Sequence, residues 1–352
     1  AAPRKLDGAG VVYHFERSGP GADWSFAGTV DSPTPNPLPE YGSALALRGD
    51  DLLVGAPATD GGTIHHFRRS GNDWTYLAAI RPDDDQGLGA FGAALSWDGS
   101  RVLVGAPASD QGRGRAYLVE RDGDAWRAPV QVVLSDEARG ERGGAGGAVL
   151  LDGERGFVGA PGVDAVAVVA PTTGSSSWSD VVLLEAFDAP PRSRFGFSMA
   201  QADGEVWVGA PGADGANGRV YRFAVEGEPP FESAGRVDPD VTDGSSWPLG
   251  FGYSLALSQD RAVVGMPSRD FGEGRTMALS RAEGQWRPDA LLEGRIFRIG
   301  SELAEGDRCD EGTMTEFPCT NMQLVAHVPI GELGGERGVW LNDVWGLSLI
   351  HI

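Results

Sequence analysis

The chain has 352 residues, 41% of them apolar, and a formal net charge of −21. That acidity repels a phosphate backbone and excludes nucleic acid as a partner. No apolar run reaches the roughly eighteen residues that a membrane-spanning helix needs. Glycine (53) and proline (23) are abundant and no long helical period is present, which predicts many short strands joined by tight turns. The basic residues are arginine throughout except for Lys5, a pattern of GC-rich coding and not of function. The acidity favours solubility and suits an extracellular setting.

The elements form a repeat. Residues 8–30 read as the second half of one unit, with strands at 11–15 and 24–30 around a turn at Ser18-Gly19-Pro20-Gly21. Five fuller copies follow. Each opens on an aromatic-glycine pair and carries a Val-Gly-Ala-Pro block: Tyr41-Gly42 with Pro57, Phe91-Gly92 with Pro107, Phe195-Gly196 with Pro211, Phe251-Gly252 with Met266-Pro267, and a weaker Ala145-Gly146 with Pro161. The first residue stands 16 positions before the proline in all five, and the prolines are 50, 54, 50 and 56 residues apart. A fixed period decides architecture before any residue is given a role.

Each copy predicts four strands. The first starts at the aromatic-glycine pair, and a hairpin turn such as Asp98-Gly99, Asp152-Gly153 or Asp203-Gly204 leads to the second. Proline cannot donate to a ladder, so it ends the second strand. A third strand and a fourth, the latter marked by Trp24, Trp74, Trp126, Trp178, Phe231 or Trp286, complete the unit. Runs such as Val102-Leu103-Val104 and Val206-Trp207-Val208 are apolar on both faces, as in a sheet covered on both sides. Small antiparallel sheets stacked radially give a β-propeller. The expected fold is therefore all-β, a β-propeller of four-stranded blades with five full blades and a half blade. The glycines fit close backbone approaches, and the aromatics fill the wedges between blades.

The repeat stops near residue 292. We expect a propeller fragment at 1–292 that starts mid-blade, a linker and the start of a second, truncated repeat domain at 293–346, and a non-native tail at 347–352. Cys309 and Cys319 lie in the middle segment. Two cysteines are no disulfide framework; a single local bridge and two free thiols both stay open.

The Phe-Gly and Gly-Ala-Pro blocks resemble FG-GAP repeats, the blade unit of integrin α-subunit propellers and of bacterial surface proteins. The resemblance covers 1–292 and implies a seven-bladed parent and a binding or adhesive role at the cell surface. Residues from Cys309 to Gly346 are similar to the start of the choice-of-anchor B family of bacterial surface proteins, which implies a missing second domain and favours the Cys309–Cys319 bridge. Many FG-GAP repeats hold calcium between their first two strands. Here those places carry only short turns, among them Asp50-Asp51 and Gln259-Asp260, too few oxygens for an ion that takes six to eight. No metal or cofactor is therefore expected.

Other candidates read as structural. Asp60, Asp110, Asp164, Asp214 and Asp270 each follow a proline by three residues and suit capping of their own loops. Arg48-Gly49-Asp50 falls on a hairpin turn. His65 and His66 are strand neighbours that point to opposite faces and cannot share a metal simply. His14 matches His66 in register, as a packing position. Ser198 lacks the second glycine of a nucleophile elbow. The recurring tryptophans are structural first and a carbohydrate-binding stripe second. The expectation from sequence is a non-catalytic, extracellular propeller that binds a protein or carbohydrate, with no catalytic residues assigned. The alternatives are a secreted enzyme whose catalytic residues lie in loops at the propeller mouth or in missing segments, and a structural display scaffold.

Overall fold

The computed structural model describes residues 10–293, less 20–21, 23–24, 35–39, 59–60, 72, 83–88, 174–176, 240–249 and 268–273, together with 313–314 and 317–318. The chain divides into two compact units, one of residues 1–269 with 275–292 and one of 270–274 with 293–352. Besides Gly274 and Glu293, the described part of the second is a hairpin of two-residue strands, Thr313–Met314 and Phe317–Pro318. Cys309 and Cys319 lie outside the described residues, as do Trp24, Asp60 and Asp270.

The first unit is a β-propeller, as the repeat predicts. A half blade of β1 (Val12–Glu16) and β2 (Ser25–Val30) comes first. Blade 1 contains β3 (Leu45–Arg48), β4 (Asp51–Ala56), β5 (Thr63–Ser70) and β6 (Asp73–Ile80). Blade 2 contains β7 (Ala94–Trp97), β8 (Arg101–Ala106) and β9 (Arg115–Asp122), with a fourth strand split into β10 (Ala125–Trp126) and β11 (Val130–Gln131). Blade 3 holds β12 (Ala148–Asp152), β13 (Arg155–Ala160), β14 (Ala165–Pro171) and β15 (Trp178–Glu185). Blade 4 holds β16 (Ser198–Ala202), β17 (Glu205–Ala210), β18 (Arg219–Ala224) and β19 (Glu232–Val237). Blade 5 holds β20 (Ser254–Leu257), β21 (Arg261–Met266), β22 (Arg275–Ala282) and β23 (Gln285–Glu293). Neighbouring strands in each blade pair antiparallel in chain order.

First strands pack on first strands: β3 on β7, β7 on β12, β12 on β16 and β16 on β20. They are the inner ring that surrounds a propeller's axis. Each second strand ends on the residue before its proline, as expected. The first strand starts later than predicted, because the aromatic-glycine pair forms a turn. Residues 40–43, 90–93, 144–147, 194–197 and 250–253 each close with an amide of the last residue on the carbonyl of the first, at 3.0–3.1 Å. The third residue of each turn is the glycine, at φ near +90°, a region that costs other L-residues energy.

The repeating glycines meet one another across blades. A Cβ on Gly55, Gly105, Gly159 or Gly209 would stand 1.9–2.0 Å from the carbonyl oxygen of Gly92, Gly146, Gly196 or Gly252, respectively. The Val-Gly-Ala-Pro glycine of one blade thus seats the aromatic-glycine turn of the next. Tyr41, Phe91, Phe195 and Phe251 are fully buried there. Leu53 and Ile64 of blade 1 cluster with Phe91, Val102 and Tyr117 of the blade 2 repeat, so the core lies between sheets. Burial of aliphatic and aromatic surface at such seams, worth about 25 cal/mol per Å², is what holds blades together.

Candidate functional site

In every blade the 1–2 and 3–4 turns lie at one end of the sheet, and the 2–3 and 4–1 connections at the other. The second end receives the chain as it returns from an outer strand to the axis. Its main chain is knitted between blades: Phe91 N–H donates to Gly61 O, Ala145 N–H to Arg113 O and Phe251 N–H to Asn217 O, at 2.9–3.0 Å. Phe195 breaks this pattern. The 2–3 loop of blade 3 is only 161–164, so Asp164 directly precedes β14, in the place that Gly114 and Gly218 hold before β9 and β18. The Asp164 side chain supplies the acceptors instead. Its Oδ2 takes the Arg192 N–H at 2.7 Å, and its Oδ1 takes the Ser193 hydroxyl at 3.0 Å and the Phe195 N–H at 3.3 Å. Ser193 is fully buried.

This loop presents arginines on both flanks. A Cβ on Gly162 would sit 2.3 Å from the Arg142 carbonyl oxygen, and Gly162 N–H donates to Gly143 O. Two residues on, Asp164 holds the Arg192 amide. Arg142, Arg192 and Arg194 are exposed and lie at φ +56°, +69° and +58°. Gly144 and Gly250 occupy the same turn position as Arg194, where glycine adopts the conformation without cost; Glu40 and Ala90 hold it too, at φ +59° and +56°. A non-glycine residue there gives up of order 1 kcal/mol of backbone preference. Among the described residues no carboxylate pairs with these three guanidiniums. Most other arginines of this face are paired: Arg113 with Asp136, Arg139 with Asp110, Arg219 with Asp188, Asp214 and Asp238, and Arg236 with Asp188 and Asp238.

Two rings stand beside the arginines. Phe197 and Tyr253 are the last residues of their turns, immediately before or at the inner strands of blades 4 and 5. Their centroids are 4.6 Å apart, and the Arg194 guanidinium lies 4.3 Å over the Phe197 ring. Tyr253 is 47% exposed. Uncompensated guanidiniums attract carboxylate or phosphate in a bidentate fork, and exposed rings stack on the apolar faces of sugars. A cationic, aromatic rim on a chain of net charge −21 is the candidate site. Its residues escaped notice in the sequence because only the fold brings 142, 192–197 and 253 to one face. Arg192 and Arg194 flanking a serine three positions before Gly196 were the available signal.

The other sequence candidates are structural. Asp110 and Asp214 pair with arginines, and Asp164 caps the loop of the next blade and not its own. Ser198 donates to Gly252 O at 2.6 Å. Arg48-Gly49-Asp50 is the β3–β4 hairpin turn, where Asp50 O accepts from Arg69 N–H. Trp74, Trp126 and Trp286 are seam wedges. Trp126 Nε1 donates to His66 Nδ1 at 3.1 Å, Trp74 Nε1 to His14 Nδ1 at 3.4 Å, and Trp286 lies edge-on to Trp207. His14 and His66 therefore share one packing role. His65 turns to the opposite side, against Tyr41 and Tyr76. Among the described residues no group of three or more His, Cys, Asp or Glu is arranged to hold a metal.

At the opposite end of the sheets, Asp51 gathers His66 Nε2 (2.9 Å), Arg68 Nε (2.8 Å) and Arg121 (3.0 Å). Burial alone would raise the Asp51 pKa; bonds from Arg68, His66 and Arg121 outweigh it and hold it at about 2. This cluster joins blades 1 and 2. With the Asp51 carboxylate and both His66 ring nitrogens bonded internally, it reads as a latch.

The sequence matches no family model and no curated protein. The structure is similar to the periplasmic gluconolactonase of Pseudomonas aeruginosa, with 17% identity over 84% of this chain and 80% of that one at a TM-score of 0.57. It is similar as well to proteins of Bacteroides uniformis and Bacteroides fragilis assigned as 6-phosphogluconolactonases. Each is 12% identical at a TM-score of 0.55, covering 83% and 80% of this chain and 81% and 77% of theirs. These findings correct the expectation of an integrin-like FG-GAP and choice-of-anchor B protein with a non-catalytic adhesive role. The physical reason is that the Phe-Gly and Gly-Ala-Pro blocks encode the contact between blades, which any propeller with this packing needs whatever its function.

Proposed function

We propose that the chain is a hydrolase of sugar lactones, acting at the rim formed by Arg142, Arg192, Arg194, Phe197 and Tyr253. The observation that carries the reading is the set of guanidiniums without carboxylate partners beside the Phe197–Tyr253 ring pair. The names borne by the similar structures give it its reaction class. In lactone opening, water adds to the ring carbonyl, the bond to the ring oxygen breaks, and that oxygen takes a proton as a carboxylate forms. Negative charge develops on the carbonyl oxygen, and a positioned guanidinium stabilises it. The rings of Phe197 and Tyr253 would hold the sugar against the rim, and the arginines would retain an anionic substituent. A ring ester is already reactive toward water, so binding and charge stabilisation supply much of what catalysis requires.

The test is pH-stat titration of acid release from glucono-δ-lactone and from its 6-phosphate. Catalysis above spontaneous opening is expected, with kcat/KM reduced about tenfold or more in Arg194→Ala. Rates equal to buffer alone with both lactones would remove the reading.

A further inference from the structure

We propose that Asp164 is the positioning residue of an anion cradle, setting Arg192 and Arg194 so that with Arg142 they hold a phosphate-like dianion. The inference deepens the lactonase reading: it makes the preferred substrates those that carry a dianionic group away from the reacting ring ester. It rests on four features of the structure taken together. The Asp164 carboxylate replaces the main-chain acceptor that Phe91, Ala145 and Phe251 use, and among the described residues this occurs only where the 2–3 loop is short. Through its bonds to the Arg192 amide, the Ser193 hydroxyl and the Phe195 amide it fixes the segment 192–195 on which both arginines stand. Those arginines alternate with Ser193, whose burial anchors the backbone between them. Arg142 approaches from the other side of the same loop, through the contact of its carbonyl with Gly162.

The chemistry of the three side chains selects the ligand. Guanidiniums bind oxyanions through paired N–H donors, and a dianion gains from each additional cation. The Asp164 oxygens accept from two amides and a hydroxyl, which direct the carboxylate into the loop and away from the guest. A neutral lactone would use the Phe197–Tyr253 rings and offer a guanidinium only its carbonyl oxygen, leaving the remaining arginines unsatisfied. The cradle therefore separates phosphorylated from unphosphorylated substrates, and Asp164 does so without touching either.

The probe is inorganic phosphate, titrated by calorimetry at low salt against the full chain, with chloride as the monovalent control. Millimolar or tighter phosphate binding is expected, weakened about tenfold in Asp164→Ala and less in Asp164→Asn, whose carbonyl still accepts from Ser193 and Phe195. The Asp164→Ala effect should disappear in an Arg192→Ala/Arg194→Ala background, because coupled residues are not additive. A merely structural role would instead lower stability equally in both backgrounds, which thermal melting reads. With the two lactones, Asp164→Ala should lower kcat/KM for both and raise KM several-fold more for the phosphorylated one than for the neutral one. No phosphate binding by the native chain would overturn the cradle, and unchanged binding or full additivity in Asp164→Ala would overturn the positioning role. Either result leaves lactone turnover to be judged by its own assay: turnover without phosphate binding sinks this inference alone.

Discussion

Gly159 of blade 3 lies against the carbonyl of Gly196 in blade 4 so closely that a methyl group on its α-carbon would stand 2.0 Å from the oxygen. The oxygen belongs to main chain already fixed by a turn, so it has little freedom to retreat. Gly159→Ala must push the blades apart or buckle a strand. A loss of about 2–3 kcal/mol is expected, at the upper end of overpacking costs. Gly153→Ala is the control: nothing lies within 4 Å of its Cβ, and only its φ of +57° opposes the change, at about 1 kcal/mol. Denaturant unfolding of the two variants should show the difference; equal losses would refute the seam contact.

The Asp51 latch should matter as a unit. Asp51→Ala leaves Arg68, Arg121 and His66 without their shared acceptor, and Asp51 and Arg121 side chains are only 15% and 16% exposed. Removing one member of such a network costs about 2–3 kcal/mol. Asp51→Ala in a Trp126→Phe background should cost less than in the native chain, because both changes loosen His66. Strict additivity in a double-mutant cycle would separate the two contacts.

Acid should weaken the fold through its buried histidines. Burial, then the Arg81 charge, lowers the His65 pKa from 6.5 to about 4. Burial also lowers that of His66, against the pull of Asp51. An unfolded chain binds these protons near pH 6.5, whereas the folded one resists. The stability is complete above pH 6.5 and falls as pH drops toward 4, by about 3 kcal/mol for His65. Below pH 3.8 the depressed Asp51 adds its own loss, down to about pH 2. Both His65 ring nitrogens lack hydrogen-bond partners, so His65→Leu should keep the fold and flatten the profile between pH 6.5 and 4. An unchanged slope would assign the acid sensitivity elsewhere.

Phe197 and Tyr253 test the sugar platform independently of charge. Phe197→Ala removes the stacked ring and the cation–π contact of Arg194, interactions of order 1 kcal/mol each. KM for glucono-δ-lactone should rise five- to tenfold, with melting temperature nearly unchanged because Phe197 is only half-buried. A fall in kcat with constant KM would place the ring elsewhere in the reaction.

The amino-acid sequence by itself determined the propeller. Steric rules of the backbone act at every copy of the repeat. Glycine is required where turns need φ near +90° or where blades touch, proline closes each second strand, and apolar runs mark sheets covered on both faces. The same local rules carry no information about function, which is why the blocks around Phe91-Gly92 and Pro107 suggested adhesion when they record only how sheets stack. Tertiary structure decided the rest. It gave the structural position expected of Trp126 its partner, His66 of the neighbouring blade, and it moved Asp164 out of its apparent family with Asp110 and Asp214. It also gathered Arg142, Arg194, Phe197 and Tyr253 from three blades. Such sites depend on contacts between residues far apart in the chain, and no periodicity within a single repeat encodes them.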